Sequence, residues 1–287
     1  MKNSHLKNLS FLLLATFFIS TSGVLGKYIA LTPEVIILCR AFLSAIFIYI
    51  FCRFKKIKLK IDSKKDGISF VISGFFMACH WISYFYALKL SNVAIGMLSL
   101  FTFPAITTLL APFFSKQKLN STHVFLAFLV LIGVNMLVPD FSLENKYLKG
   151  ILCGVFSAFC YALRNLTIKK HVKKYNGSVL MFHQMMIVSV LLIPVLFFSD
   201  FSNLESQLPL VLLVALLTTV IGHTMLINSL KYFSVSTASI ISSIQPIFGV
   251  IIAYIFVAEV PSLNTYIGGS LILLTVVIES IRSKNNT

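Results

Sequence analysis

Acidic residues are scarce in this chain. Nine Asp and Glu stand against 24 Lys and Arg in 287 residues, and charged residues of both signs make up 11% of the total, where a soluble domain carries about 25%. No Asp or Glu falls deep inside an apolar run; Glu34, Glu259 and Glu279 stand at run ends. The usual carboxylate proton relay and the carboxylate cage for a hard cation therefore have no candidate residues. Cysteine is also sparse. Cys39, Cys52, Cys79, Cys153 and Cys160 all lie in apolar runs and none forms a CxxC pair, so neither a disulfide framework nor a zinc site is readable, and they are expected to pack as small apolar groups. A phosphate-binding P-loop, a nucleophile elbow, an HExxH helix and paired carboxylates are missing too. ATP hydrolysis and catalysis are left without candidates, and the expectation is a non-enzyme that needs no cofactor and no metal.

What is present is apolar. Hydrophobic residues make up 57% of the chain and the mean hydropathy is +0.92. A net charge of +15 would suit nucleic acid, but the cations sit in short segments between apolar runs. The expected surroundings are a lipid bilayer, not a nucleic acid. The opening MKNSHLKNLSFLLLATFFISTSG has the basic-then-apolar form of a signal peptide. It is read instead as a retained first helix, because its uncharged run, at ~1.5 Å per residue, is long enough for a ~30 Å hydrocarbon core and no A-x-A signal follows.

Charged residues punctuate ten expected spans, at about 8–27, 33–53, 67–88, 93–115, 121–138, 148–168, 178–198, 208–230, 235–257 and 262–281. The reading is an all-α polytopic membrane protein. With the N-terminus inside, eighteen Lys and Arg fall on inner segments and four (Lys27, Lys89, Lys146, Lys149) on outer ones, while Arg40 and Arg164 lie within spans. The positive-inside rule then places both termini in the cytoplasm. The sequence also states one stretch twice. Residues 80–115 and 222–257 follow the same plan at an offset of 142, with Leu88-Lys89 on Leu230-Lys231 and Pro104 on Pro246. Five spans per unit is an odd number, so the halves 1–138 and 139–287 are expected to have opposite orientation, an inverted-topology repeat suited to a site that faces each side in turn.

The polar residues inside the spans are the candidates for that site. Pro104 and Pro246 are expected to bend the fourth and ninth helices, freeing the carbonyls of Leu100 and Ser242, either as packing kinks or as paired hinges lining a cavity. Around them lie Ser99, Thr102, Ser239, Ser242, Ser243 and Gln245, which fit helix packing or a hydrophilic wall. His80, Trp81 and Tyr84 lie on the third helix, and Trp81 aligns with His223. Tyr161 and Asn165 share a face of the sixth by i, i+4 spacing. Arg164, near the inner end of its span, is expected to snorkel to the interface. Arg40 is too deep for that and is either a structural tie to backbone carbonyls or an anion contact; on aligning the second span with the seventh it falls near Gln184, beside His183. If movement is coupled to protons, His80, His183 or His223 would have to carry them.

These features resemble the drug/metabolite transporter superfamily, specifically its ten-helix EamA type, along nearly the whole chain. The resemblance rests on YFYALKLSNVAIGMLSLFTFPAITTLLAPFF and NSLKYFSVSTASIISSIQPIFGVIIAYIFVAE. It implies a central cavity between helices 1, 3, 4, 6, 8 and 9 and movement of small polar metabolites such as amino acids, often outward. The family usually follows each proline helix with a glutamate; Glu259 fills that place once, and Gln117 departs from it. The expected substrate-binding residues are Arg40, His80, Trp81, Tyr84, Ser99, Thr102, Tyr161, Asn165, Gln184, His223, Ser239 and Gln245, with Pro104 and Pro246 as hinges. A carboxylate on a partly aromatic metabolite suits Arg40 and the aromatic groups. The other readings are a drug or nucleotide-derived solute, or a non-transporting membrane scaffold with a filled centre. The sequence leaves the oligomeric state open.

Overall fold

The computed structural model describes residues 2–114, 121–136, 145–242, 244–258 and 260–284, and among them there is helix and no strand. Helices α1 (Lys2–Tyr28), α2 (Pro33–Phe54) and α3 (Lys64–Leu90) are unbroken. The fourth run is split into α4 (Val93–Leu100) and α5 (Phe103–Phe114), and α6 is Ser121–Asn135. Then come α7 (Lys146–Lys169), α8 (Gly177–Leu191), the short α9 (Val195–Phe198) and α10 (Leu204–Leu213), which passes into a π-helical segment, Val214–His223, and α11 (Thr224–Ser229). Helices α12 (Val235–Ser242), α13 (Gln245–Val257) and α14 (Leu263–Lys284) complete the order. Polar side chains set several starts: Ser63, Asn92, Asn145 and Asn176 each accept a backbone N–H of the first turn, at 2.8–3.2 Å.

Seven of the runs are long and apolar enough to cross a membrane, namely Leu6–Tyr28, Pro33–Phe54, Lys64–Leu90, Val93–Phe114, Lys146–Lys169, Gly177–Phe198 and Leu204–Ser229. The three other expected spans coincide with the shorter helices α6 and α12–α13 and with α14, whose apolar part is Leu263–Thr275. Gln117, Ser243 and Glu259 lie outside the described residues.

Two expectations need correction. The prolines do not kink continuous helices from within: Pro104 and Pro246 each occupy the second position of a new helix, and the breaks precede them, at Phe101–Thr102 in the first case. A proline needs no N–H in a first turn, so it sits there at no cost. The eighth run, in turn, is not a plain α-helix, because Val214–His223 is wound in the wider i→i+5 form, rare and concentrated at functional positions. Gly222 lets α1 approach it, since a Cβ there would lie 2.7 Å from Ile19 Cγ1 and 3.2 Å from Ile19 N.

The helices pair in a pattern that the offset of 142 reproduces. Helix α3 lies along α7, and the π segment lies along α1; α4 and α5 pack on α7 as α12 and α13 pack on α1; α2 meets α8, and α6 meets α14. One polar detail repeats to the residue. Lys27 Nζ donates to the carbonyls of Leu88 (2.9 Å) and Ser91 (2.7 Å), and Lys169 Nζ donates to those of Leu230 and, at 2.7 Å, Phe233. Each lysine closes the carbonyl end of a neighbouring helix, and all three positions of one set differ from the other by 142. At the lysine-rich end, Asp66 on α3 binds Lys174 Nζ (2.6 Å) and the Tyr175 hydroxyl (2.6 Å) and faces His171 Nδ1 (3.4 Å). The Asp66 hydrogen bond holds the Lys174 ammonium above the ordinary lysine range, whereas burial pulls His171 below the usual histidine value.

Because a charged donor serves two helix-end carbonyls at each site, Lys27→Met and Lys169→Met are expected to lower stability by similar amounts, about 1–3 kcal/mol each. Thermal unfolding in detergent checks both.

Candidate substrate site between the helices

Two arginines are fully buried at 0% exposure. Arg40, on α2, donates from Nε to Thr219 Oγ1 and from Nη2 to Thr218 Oγ1, both at 2.7 Å, and from Nη1 to Ser22 Oγ at 3.4 Å. Its guanidinium carbon lies 3.7 Å from the ring centre of Trp81, a cation–π contact. Thr218 completes its own bonding by donating to Val214 O at 2.6 Å, and Ser44, one turn after Arg40, donates to Ala215 O at 3.2 Å. Arg164, on α7, donates from Nε (3.2 Å) and Nη2 (2.6 Å) to Gln184 Oε1 and from Nη1 to Asn165 Oδ1 (2.8 Å), while Gln184 Nε2 donates to Ser73 Oγ (3.0 Å). The expectation that Arg164 snorkels fails: Gln184 and Asn165 supply acceptors inside the bundle, so the side chain need not reach the interface.

The two groups correspond. Ser22 and Arg164 are 142 apart. In one half the charge lies on the second helix and the hydroxyl on the first; in the other, Arg164 lies on the equivalent of the first and Gln184 on the equivalent of the second. The third member comes from the π segment in one case and from α3 in the other. Ion pairs among the described residues are confined to Asp62, Asp66, His171 and Lys174, so both guanidinium groups are held by neutral partners alone.

Between these groups lie two small cavities. The first, about 20 Å³, is lined by His80, Trp81, Tyr84, Tyr161, His223 and Gln245, with Ser22, Met97 and Phe103 among the remaining wall. The second, about 10 Å³, is lined by Tyr161, Asn165, Ser239 and Ser242 together with Phe103 and Leu226. Each has room for about one water and none for a metabolite. Phe103 and Tyr161 belong to both walls and pack edge to face at 4.9 Å, separating the two spaces. His80 stacks on Tyr161 at 4.4 Å. Ser157 Oγ donates to His80 O (2.8 Å), so it accepts from His80 Nδ1 (2.7 Å), which makes that nitrogen the donor. His223 lies 5.5 Å from Trp81 between ring centres, and its Nδ1 is buried without a hydrogen-bond partner, as is Ser242 Oγ. Such orphaned groups are rare in finished cores.

The structure thus brings His80, Trp81, Tyr84, Tyr161, Asn165, His223, Ser239 and Gln245 to the cavity walls. Arg40 stands behind Trp81 and Ser22, and Gln184 behind Asn165 through Arg164. Ser99 faces Gly154, where a Cβ would lie 2.0 Å from its Oγ, and Thr102 donates to Ser99 O at 3.0 Å in the helix break. Thr218, Thr219, Ser22, Ser157 and Phe103 were not singled out in the sequence. The adjacent polar pair in LLVALLTTVIG was the available signal for the threonines.

The model of the EamA-like transporter family matches residues 6–138 and again 148–281. A transporter of Bacillus subtilis strain 168 described as uncharacterized, YxxF, is 25% identical over 227 residues, covering 77% of this chain and 72% of its own. The pseudopaline exporter CntI of Pseudomonas aeruginosa strain UCBPP-PA14 is 24% identical over 274 residues, 94% of this chain and 95% of its own. One solved structure, titled only as the crystal structure of a protein, superposes with a TM-score of 0.74 at 16% identity, covering 97% of this chain and 98% of that one; at that identity the likeness concerns the fold.

The two readings of Arg40 make opposite demands on stability. A buried cation without a counter-ion costs about 2.5–3.5 kcal/mol on insertion scales, so Arg40→Met is expected to unfold at a temperature no lower than the parent. Trp81→Ala is expected to lose roughly 3–5 kcal/mol through the cavity it leaves. A thermal midpoint for Arg40→Met several degrees below the parent would show that the guanidinium is chiefly a structural tie.

Proposed function

The chain belongs to the EamA-like transporter family of the drug/metabolite transporter superfamily, and from that footing we propose that it is a secondary transporter carrying a small, carboxylate-bearing polar metabolite outward across the cytoplasmic membrane by alternating access. The proposed frame is ten spans in two five-helix repeats of opposite orientation, residues 1–138 and 139–287, with both termini in the cytoplasm. The double family match, the repeated helix pairings and the equivalent lysines Lys27 and Lys169 support the repeat. The outward direction takes its support from the relative named as an exporter.

The observation that carries the substrate class is the pair of buried guanidinium groups held by neutral partners. A cation in low dielectric attracts an anion more strongly than it does in water, and arginine presents a donor fork matched to a carboxylate. Only three of the five N–H groups of Arg40 are engaged. In the reading proposed here, the present state is an occluded stage of the cycle, with Phe103 and Tyr161 closing the path between the two spaces. The substrate enters when they part, and its carboxylate meets Arg40 past Ser22. Tyr84, Trp81 and Tyr161 offer apolar faces to the rest of it, while His80 Nε2 and Gln245 offer hydrogen bonds.

The filled centre also suits a non-transporting scaffold. The unpartnered His223 Nδ1 and Ser242 Oγ favour the carrier, because a static core has no reason to leave them.

A thermal-shift screen of purified protein against carboxylate metabolites identifies a ligand, and uptake of that ligand into proteoliposomes follows. Arg40→Gln and Arg164→Gln are expected to reduce uptake at least tenfold, and Phe103→Ala to make exchange leaky. Undiminished uptake of every carboxylate by both arginine variants overturns the substrate class. Cysteines at 239, 242 and 245 that resist aqueous thiol reagents in ligand-free membranes overturn the carrier itself.

A further inference from the structure

A second, larger space lies apart from the centre. A groove of about 870 Å³ runs between α2, the π segment, α11 and the start of α8, and none of its lining residues belongs to either central cavity. Its walls are apolar: Phe51 and Phe54 from α2 face Leu216 and Val220 from the π segment. These faces look outward from the bundle, with Phe54 79% and Phe51 43% exposed. The volume falls in the range that drug-sized ligands fill, about 300–1,000 Å³.

One end of the groove is polar. Lys55, Asn176, Ser178 and Asn228 line it there. Asn228 Oδ1 accepts from Gly177 N at 3.0 Å, which leaves its NH2 group to donate. Lys55 belongs to a run of cations, Arg53, Lys55, Lys56, Lys58 and Lys60, none of which joins the ion pairs found among the described residues. Lys56 holds a left-handed backbone at φ 55°, in the turn by which the chain leaves α2. Farther in, Thr224 Oγ1 lies on the groove wall, buried and without a hydrogen-bond partner.

We propose that this groove is a binding site for an anionic glycerophospholipid of the surrounding bilayer. One acyl chain lies between α2 and the π segment, the phosphate rests against Lys55 and the Asn228 amide, and the ester region falls at the depth of Thr224. The charge pattern selects this occupant. Apolar walls open to lipid admit any acyl chain, but Lys55 on the groove wall, with the exposed Arg53, Lys56, Lys58 and Lys60 close to it in sequence and outside the ion pairs found among the described residues, favours a phosphate-bearing head of net negative charge. The rear wall is the π segment whose inner face carries Thr218 and Thr219 on Arg40. A seated lipid therefore braces the same segment that holds the guanidinium.

Native mass spectrometry of the full chain, released from mixed micelles with equimolar phosphatidylglycerol and phosphatidylcholine, tests the site. The parent is expected to retain one phosphatidylglycerol in at least fivefold preference to phosphatidylcholine. Lys55→Glu, an exposed position, is expected to abolish that preference without unfolding the chain, and Val220→Trp, which fills the groove, to lose the retained lipid of either kind. Equal retention of the two lipids by the parent overturns the proposal. So does an unaltered preference in Lys55→Glu, or a preference that survives Val220→Trp, which would mean that the basic loop attracts anions without a seat. None of these readouts depends on the transported solute.

Discussion

A guanidinium inside an apolar bundle forces the structure around it to supply what water would have given. Here that demand arises twice and is met without a carboxylate from the described residues. Arg40 takes three hydroxyls and the face of an indole; Arg164 takes two side-chain amide oxygens. Full neutralisation by an acid would have made each site a finished ion pair with little left to offer a ligand. Neutral acceptors engage some of the N–H groups and leave the charge itself uncompensated. The winding of Val214–His223 follows from this demand, since the wider turn lets the adjacent Thr218 and Thr219 serve one side chain.

The two stretches matched by the family model, 6–138 and 148–281, carry polar sites that differ in detail and agree in plan. At the helix ends the correspondence is literal, with Lys27 and Lys169 doing the same work on carbonyls 61 and 64 residues onward. At the centre it is looser, because the charge sits on the first helix of one half and the second helix of the other.

Much of this was legible in the residues. Run lengths and charged punctuation marked out the seven runs long and apolar enough to cross a membrane but not the breaks within them, and the scarcity of internal acids pointed to the in-span arginines and histidines. Most of the expected polar set does line the central spaces, because a polar group within a span has few places to go other than inward. What could not be read depended on tertiary partners. Arg164 lies near enough to a helix end to reach water, and only the acceptors on α8 and its own neighbour Asn165 turn it inward. The π winding has no periodic signature in an all-apolar run. Ser99 matched the pattern of a wall residue but meets Gly154, a contact between helices that hydropathy cannot specify.

The chain contains one tryptophan, and it is Trp81. That indole carries Arg40 on its face, His223 beside it and the central space at its edge. Excited selectively over the ten tyrosines, its emission is therefore a label-free gauge of a single locality. A shift in wavelength or intensity on adding a solute reports the field and hydration at the meeting point of α2, α3 and the π segment, with no second indole to add to the signal.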